Sequence, residues 1–125
     1  MKVPENLLYT KEHEWISKKD SAVKVGITDF AQSQLGDIIF LELPEVGDQI
    51  VSGESFGEVE AVKTVSELYA PIDGTILEVN KDLEDLPDNI NQDCYGKGWI
   101  IKVSKEGDLE SDELIDHKAY SNLIE

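Results

Sequence analysis

Residues 46–80, "VGDQIVSGESFGEVEAVKTVSELYAPIDGTILEVN", break short β-rich runs with glycines at 47, 53, 57 and 74. Runs of this length are too short for ordinary helices, and β-branched residues between closely set turn signals favour strands. Regular punctuation of this kind points to a small sandwich or barrel.

The flanking sequence fits that core. "SAVKVGIT" (21–28) is β-rich and partly alternating, and reads as a strand. "TDFAQSQLG" then offers Thr28 as an N-cap, Asp29 in the first turn and Gly36 as a stop, so a short helix is expected. "DIIFLELP" (37–44) reads as a strand ended by Pro44, and "WIIKVS" (99–104) as a last core strand. The polar segment "KDLEDLPDNINQDCYGKG" reads as a loop with one helical turn near 82–86. "ESDELIDHKAYSNLIE" offers Ser111 as a cap, and places Leu114, Ile115, Ala119 and Leu123 at helical spacing. With neither linker nor low-complexity tract, residues 1–125 form one mainly β domain. A short helix in the N-terminal half and a C-terminal amphipathic helix complete it.

Composition excludes several function classes. The 11 basic residues are all lysines against 27 acids, giving a net charge of −16. Without arginine or a basic footprint, nucleic acid and anionic membrane are not expected partners. The charge serves solubility, or steers the chain toward basic docking faces. No apolar run approaches the roughly 20 residues of a membrane span, and the start has no signal segment. Cys94 is the only cysteine, so no internal disulfide forms. These features together point to the cytoplasm, or to an organellar protein whose leader has been removed. His13 and His117 stand in no ligand-spaced cluster, and "GESFGEVE" lacks the basic residue of a phosphate cradle. No nucleophile elbow supports Ser/His/Asp catalysis, and "DLEDLPD" lacks the offsets of an EF-hand.

Lys63 stands apart. "GEVEAV" climbs to it and "TVSELYAPI" returns, which places it at or beside the tip of a tight hairpin. A solvated tip lysine does not suit Schiff-base or general-base work, which needs a desolvated amine or a neighbouring cation. It does suit recognition and acylation by another enzyme. Gly47 and Gly53 lie 16 and 10 residues before Lys63, and Gly74 lies 11 after. This framework resembles the lipoyl/biotinyl carrier fold, a flattened barrel-sandwich hybrid whose hairpin-tip lysine bears a swinging cofactor. Biotin carriers usually flank that lysine with methionines, whereas Val62 and Thr64 flank it here. Glu60 resembles the glutamate of lipoyl motifs, so lipoate is preferred over biotin.

A wider match is more specific. "YTKEHEWI" (9–16), "VGITDFAQSQLGDIIFLELPEVG" (25–47), "GESFGEVEAVKTVSELYAPIDGTILEVN" (53–80) and "YGKGWIIKV" (95–103) resemble the glycine cleavage system H protein family, in its order and spacing. Free-standing lipoyl domains lack the "HEW" start and the "GITDFAQ" helix. Two departures are visible. Ala61 stands where the family usually has serine, and Cys94 stands where it tends to have proline before the tyrosine. The second exchanges a fixed φ for a thiol.

The resemblance implies a carrier, not a catalyst, with lipoate attached to Lys63 as N6-lipoyllysine and Glu60 read by the lipoylating enzyme. It implies three partners: glycine decarboxylase (P-protein), which loads an aminomethyl group; aminomethyltransferase (T-protein), which unloads it onto folate; and dihydrolipoamide dehydrogenase (L-protein), which restores the disulfide. The chain is expected to be a monomer serving glycine catabolism and one-carbon metabolism. The family's logic also implies that the loaded arm folds back onto the protein, with Glu14, Glu67 and Glu12 as candidate carboxylates for its ammonium. Four other readings stay open: a lipoyl or biotinyl carrier of another complex, a lipoyl donor, an enzyme using Lys63 covalently, and a purely structural domain.

Overall fold

Alternation of inward and outward side chains builds the central strands. In Ala22–Ile27 (β3), Val23 and Val25 are buried while Lys24 between them points outward. The computed structural model describes residues 2–19, 21–104 and 114–125. Among these, the strands before and beside β3 are Leu8–Tyr9 (β1) and Glu14–Lys19 (β2), followed by the helix Asp29–Leu35 (α1). Next come Ile38–Glu42 (β4), Gln49–Ile50 (β5), Ser55–Ala61 (β6), Val65–Tyr69 (β7) and Gly74–Val79 (β8). The short helices Asp82–Asp85 (α2) and Asn89–Gln92 (α3), the strand Ile101–Ser104 (β9) and the helix His117–Ile124 (α4) complete the described elements.

The strands form two antiparallel sheets. One has the order β1-β2-β3-β9-β8-β5, and the other, three-stranded, has the order β4-β6-β7. Val23, Val25, Ile76, Ile101 and Val103 from the larger sheet pack with Leu41, Val59 and Leu68 from the smaller one in a shared core. This is the mainly β, two-layered architecture expected from the glycine punctuation. Gly74 supports it by its lack of a side chain, since a Cβ there would collide with the Val103 side chain and the Ser104 carbonyl oxygen. Gly53 acts differently: its φ of 86° turns the chain into β6, and its N–H donates to the Ala70 carbonyl at 2.9 Å.

The helix signals around residues 28–36 hold. Thr28 caps α1 by accepting a hydrogen bond from the Ala31 N–H at 3.2 Å, and the helix stops at Gly36. The C-terminal segment differs from expectation. Ser111 lies outside the described residues, and α4 is capped by Asp116, whose carboxylate accepts from the Ala119 N–H at 2.9 Å. Leu114 and Ile115 precede the helix and are not part of it. Ile115 exchanges two backbone hydrogen bonds of 2.8 Å with Tyr9, so pairing with the edge of the large sheet keeps it extended.

A second cluster fastens this end of the chain. Tyr9, Trp15 and Tyr120 are almost wholly buried together with Leu7, and the Tyr9 and Tyr120 rings stack with centroids 4.7 Å apart. The Trp15 indole N–H donates to the Cys94 carbonyl at 2.9 Å. Asp93 gathers the same loop, accepting at its carbonyl from Gly96 and Gly98 and at its carboxylate from the Lys97 N–H. Those bonds hold the loop where the sequence lacks proline.

Candidate functional site

β6 and β7 form the hairpin that carries Lys63. Glu60 pairs with Val65, and the Ala61 N–H donates to the Thr64 carbonyl at 2.8 Å, closing the turn around Val62 and Lys63. The Val62 N–H also donates to the Asp37 carbonyl at 3.0 Å, which ties the turn to the start of β4. Lys63 is exposed on this braced tip, as the sequence indicates. Its exposure leaves the side chain accessible from solvent.

Glu14 is a different kind of residue. It is the first residue of β2 and only 2% exposed. The Thr10 hydroxyl donates to Oε1 at 2.9 Å and the Tyr69 N–H donates to Oε2 at 3.0 Å. Burial nevertheless dominates, and pushes its carboxyl up to about 8 from the usual carboxylate range; the two hydrogen bonds pull the other way. Burial thus favours the neutral form of Glu14, and an opposite charge brought against it would favour the carboxylate.

The turn before Glu14 is strained to place it there. His13 has a φ of 68°, the one left-handed non-glycine among the described residues. Its N–H donates to the Thr10 carbonyl, and its carbonyl accepts from the Thr28 N–H at 3.0 Å. Its Nδ1 lies 2.8 Å from the Tyr120 hydroxyl, which in turn lies 2.7 Å from the Thr28 hydroxyl. Burial holds the His13 imidazole below its ordinary pKa. The partners of His13 thus come from α1 and α4, and sequence reasoning missed Tyr120 and Thr28 as supports. A residue separation of 107 carries no pairing signal.

Two clefts open beside Glu14. One, of about 530 Å³, is bordered by Thr10, Lys11, Glu12, Glu14, Gly53, Tyr69, Ala70 and Pro71. The other, of about 300 Å³, is bordered by Glu12, Glu14, Phe30, Leu35, Ser66 and Glu67 among others. The second joins apolar area from α1 to all three of the carboxylates expected to receive an arm. Glu67 is exposed, and its carboxylate accepts from the Tyr69 hydroxyl at 3.1 Å, while Glu12 is exposed at the rim. Glu67 lies on β7, four residues beyond Lys63. Glu60 is not part of this group. It sits on the outward face of the small sheet, between Phe40 and Val65.

Cys94 takes no part in either cleft. It is buried, and burial pushes its thiol up to about 12, which favours the neutral thiol over the nucleophilic thiolate. No helix among the described residues is long and apolar enough to cross a membrane.

Two facing sheets and a lysine on a braced hairpin tip define a barrel-sandwich hybrid of the lipoyl/biotinyl carrier type. The family model described as "Glycine cleavage H-protein" matches residues 7–125. A glycine cleavage system H protein from Anaeromyxobacter sp. (strain K) is 52% identical over 125 residues, covering 100% of this chain and 98% of the relative. The Oceanobacillus iheyensis protein of the same name is 48% identical, over 100% of this chain and 99% of its own. The crystal structure of a glycine cleavage system H protein from Mycobacterium marinum superposes with a TM-score of 0.87 at 43% identity, covering 96% and 97% of the two chains. The chain belongs to the glycine cleavage H-protein family.

Proposed function

We propose that the protein is the lipoyl-bearing shuttle of a glycine cleavage system, with lipoate joined to Lys63 as an amide. The observation that carries this reading is a solvated lysine on a turn braced from two sides, in a chain of this family. When bound, the lipoyl group supplies a disulfide that accepts an aminomethyl group and is afterwards reoxidised. The chain itself catalyses nothing. It presents the arm in turn to the P-protein, the T-protein and the L-protein, and the tether raises the effective concentration of the group at each docked partner. We place this work in the cytoplasm, with the protein acting as a monomer.

Glu60 serves the earlier event, recognition by the lipoylating enzyme. Its support is its position: three residues before Lys63, on the exposed face of the same hairpin. Glu14 serves the later one. A cationic amine brought back along β7 into the smaller cleft would meet a carboxylate already held by Thr10 and Tyr69. Phe30 and Leu35 exclude water on the apolar side, while Glu67 and Glu12 add negative charge at the rim. Partial burial matters here, because a fully exposed ion pair would contribute only about 0–1 kcal/mol.

Reconstitution tests the reading. Lipoylated wild-type protein should support glycine decarboxylation by P-protein and pass its one-carbon unit to T-protein, whereas Lys63→Arg should support neither. Support of both steps by Lys63→Arg would refute it.

A further inference from the structure

The outward face of the small sheet is organised in rows. Phe40 pairs with Glu60 and Glu60 with Val65, so these three form one row across β4, β6 and β7 beside the turn. The next outward row is Glu42, Glu58 and Glu67, paired in the same order. Leu41, Val59 and Leu68 are buried on the opposite face, which fixes the two rows as outward. A register shift between Ile38 and Phe40 in β4 turns both Ile39 and Phe40 to solvent. The result is an apolar rim close to Lys63: Ile39 is 53% exposed, Phe40 56%, Val62 68% and Val65 53%. Exposed large apolar side chains gathered at one end of a sheet and bordered by polar residues are a mark of an interaction surface.

Charge narrows the partner. β4, β6 and β7 hold Glu42, Glu58, Glu60 and Glu67, and no lysine. Lys18, Lys19, Lys24 and Lys102 lie on strands of the other sheet. The hairpin face therefore sets apolar side chains around Glu60 beside the lysine and further acids behind them, and its complement is an apolar patch bordered by lysine or arginine.

Position narrows it further, on the reading that Lys63 is the attachment site. An enzyme that works at the far end of a long arm can stand away from the turn. The enzyme that forms the amide cannot, because its reacting carbon must reach Nζ itself. Amide formation joins Nζ to the carbonyl carbon of an activated acyl donor, expels the activating group and releases a proton from the amine. We infer that Ile39, Phe40, Val62 and Val65, set around Glu60 and with Glu42 and Glu58 behind them, form the docking face for the acylating enzyme, which meets it with a basic-rimmed apolar surface.

The test measures the efficiency of Lys63 lipoylation by that enzyme at low and high salt, using intact mass and peptide mapping. Two paired variants avoid the clefts beside Glu14: Phe40→Thr with Val65→Thr, and Glu42→Gln with Glu58→Gln. Leu77→Thr, an equally simple change on an exposed position of the other sheet, is the control. With melting curves near wild type, the threonine pair should lose about tenfold or more in efficiency. The glutamine pair should associate more slowly at low salt and show a weaker salt dependence. Wild-type kinetics in both pairs would overturn the inference. So would an equal loss in reactions of fully lipoylated variants with P-protein and T-protein, since the face would then serve the later partners. Absence of lipoate from Lys63 in the wild type would instead remove the attachment reading on which the inference rests.

Discussion

The Tyr69 N–H donates to Glu14 Oε2 at 3.0 Å and binds the buried carboxylate of β2 to the end of the strand that leads away from Lys63. The candidate attachment point and the candidate receiving carboxylate thus share one strand as their frame.

Glu14→Gln should keep the fold, since a glutamine oxygen can still accept from Tyr69 while its amide donates to the Thr10 hydroxyl. The variant should lipoylate normally but lose its aminomethyl cargo measurably faster when T-protein is absent. Release assayed by formaldehyde trapping checks this. Equal decay rates would remove Glu14 from the role and make Glu67 the next position to vary.

The same substitution changes how stability depends on pH. The Glu14 carboxyl is raised from 4.5 to about 8, so between these values the folded protein holds a proton that the unfolded chain has released. That contribution is complete below about pH 4.5 and lost as pH rises through about 8. Its slope is at most about 1.4 kcal/mol per pH unit. Urea unfolding at pH 5 and pH 8 should show wild type losing stability relative to Glu14→Gln across that interval. Parallel curves for the two proteins would show that Glu14 titrates normally.

Tyr120→Phe removes the hydroxyl shared by His13 and Thr28 while preserving the stack on Tyr9. A buried network losing one member costs about 1–3 kcal/mol. The melting temperature should fall by several degrees, with α4 and the 10–13 turn losing amide protection together. Loss of protection in α4 alone would contradict the coupling between the two.

Inserting one residue between Glu60 and Lys63 should abolish lipoylation while the sheets persist. The insertion breaks the Ala61–Thr64 closure and alters which side chain projects from the tip. Unchanged modification of the insertion variant would show that the turn geometry is not read.

Local signals were readable where they were strong. Thr28 and Gly36 delimit α1, and the glycines around residues 46–80 mark the strands that carry Lys63, because each depends on neighbouring residues alone. β2 carries no strand signal of its own, because Glu14, Trp15 and Ile16 are buried consecutively and break the period of two. α3 is a single four-residue turn in a polar stretch, below the length at which periodicity appears. α4 begins later than its apolar spacing suggests, because Ile115 pairs with Tyr9 in place of extending the helix. At the site, "HEW" named Glu14 as a candidate, but its burial depends on Thr10, Tyr69 and the strained His13, contacts that no local pattern contains.

Peptide mapping of the protein purified from cells that make lipoate tests the central claim most directly. The expected result is one lipoyl group per chain, wholly on Lys63 among the 11 lysines. An unmodified chain, a biotinyl group, or lipoate on any other lysine would contradict it.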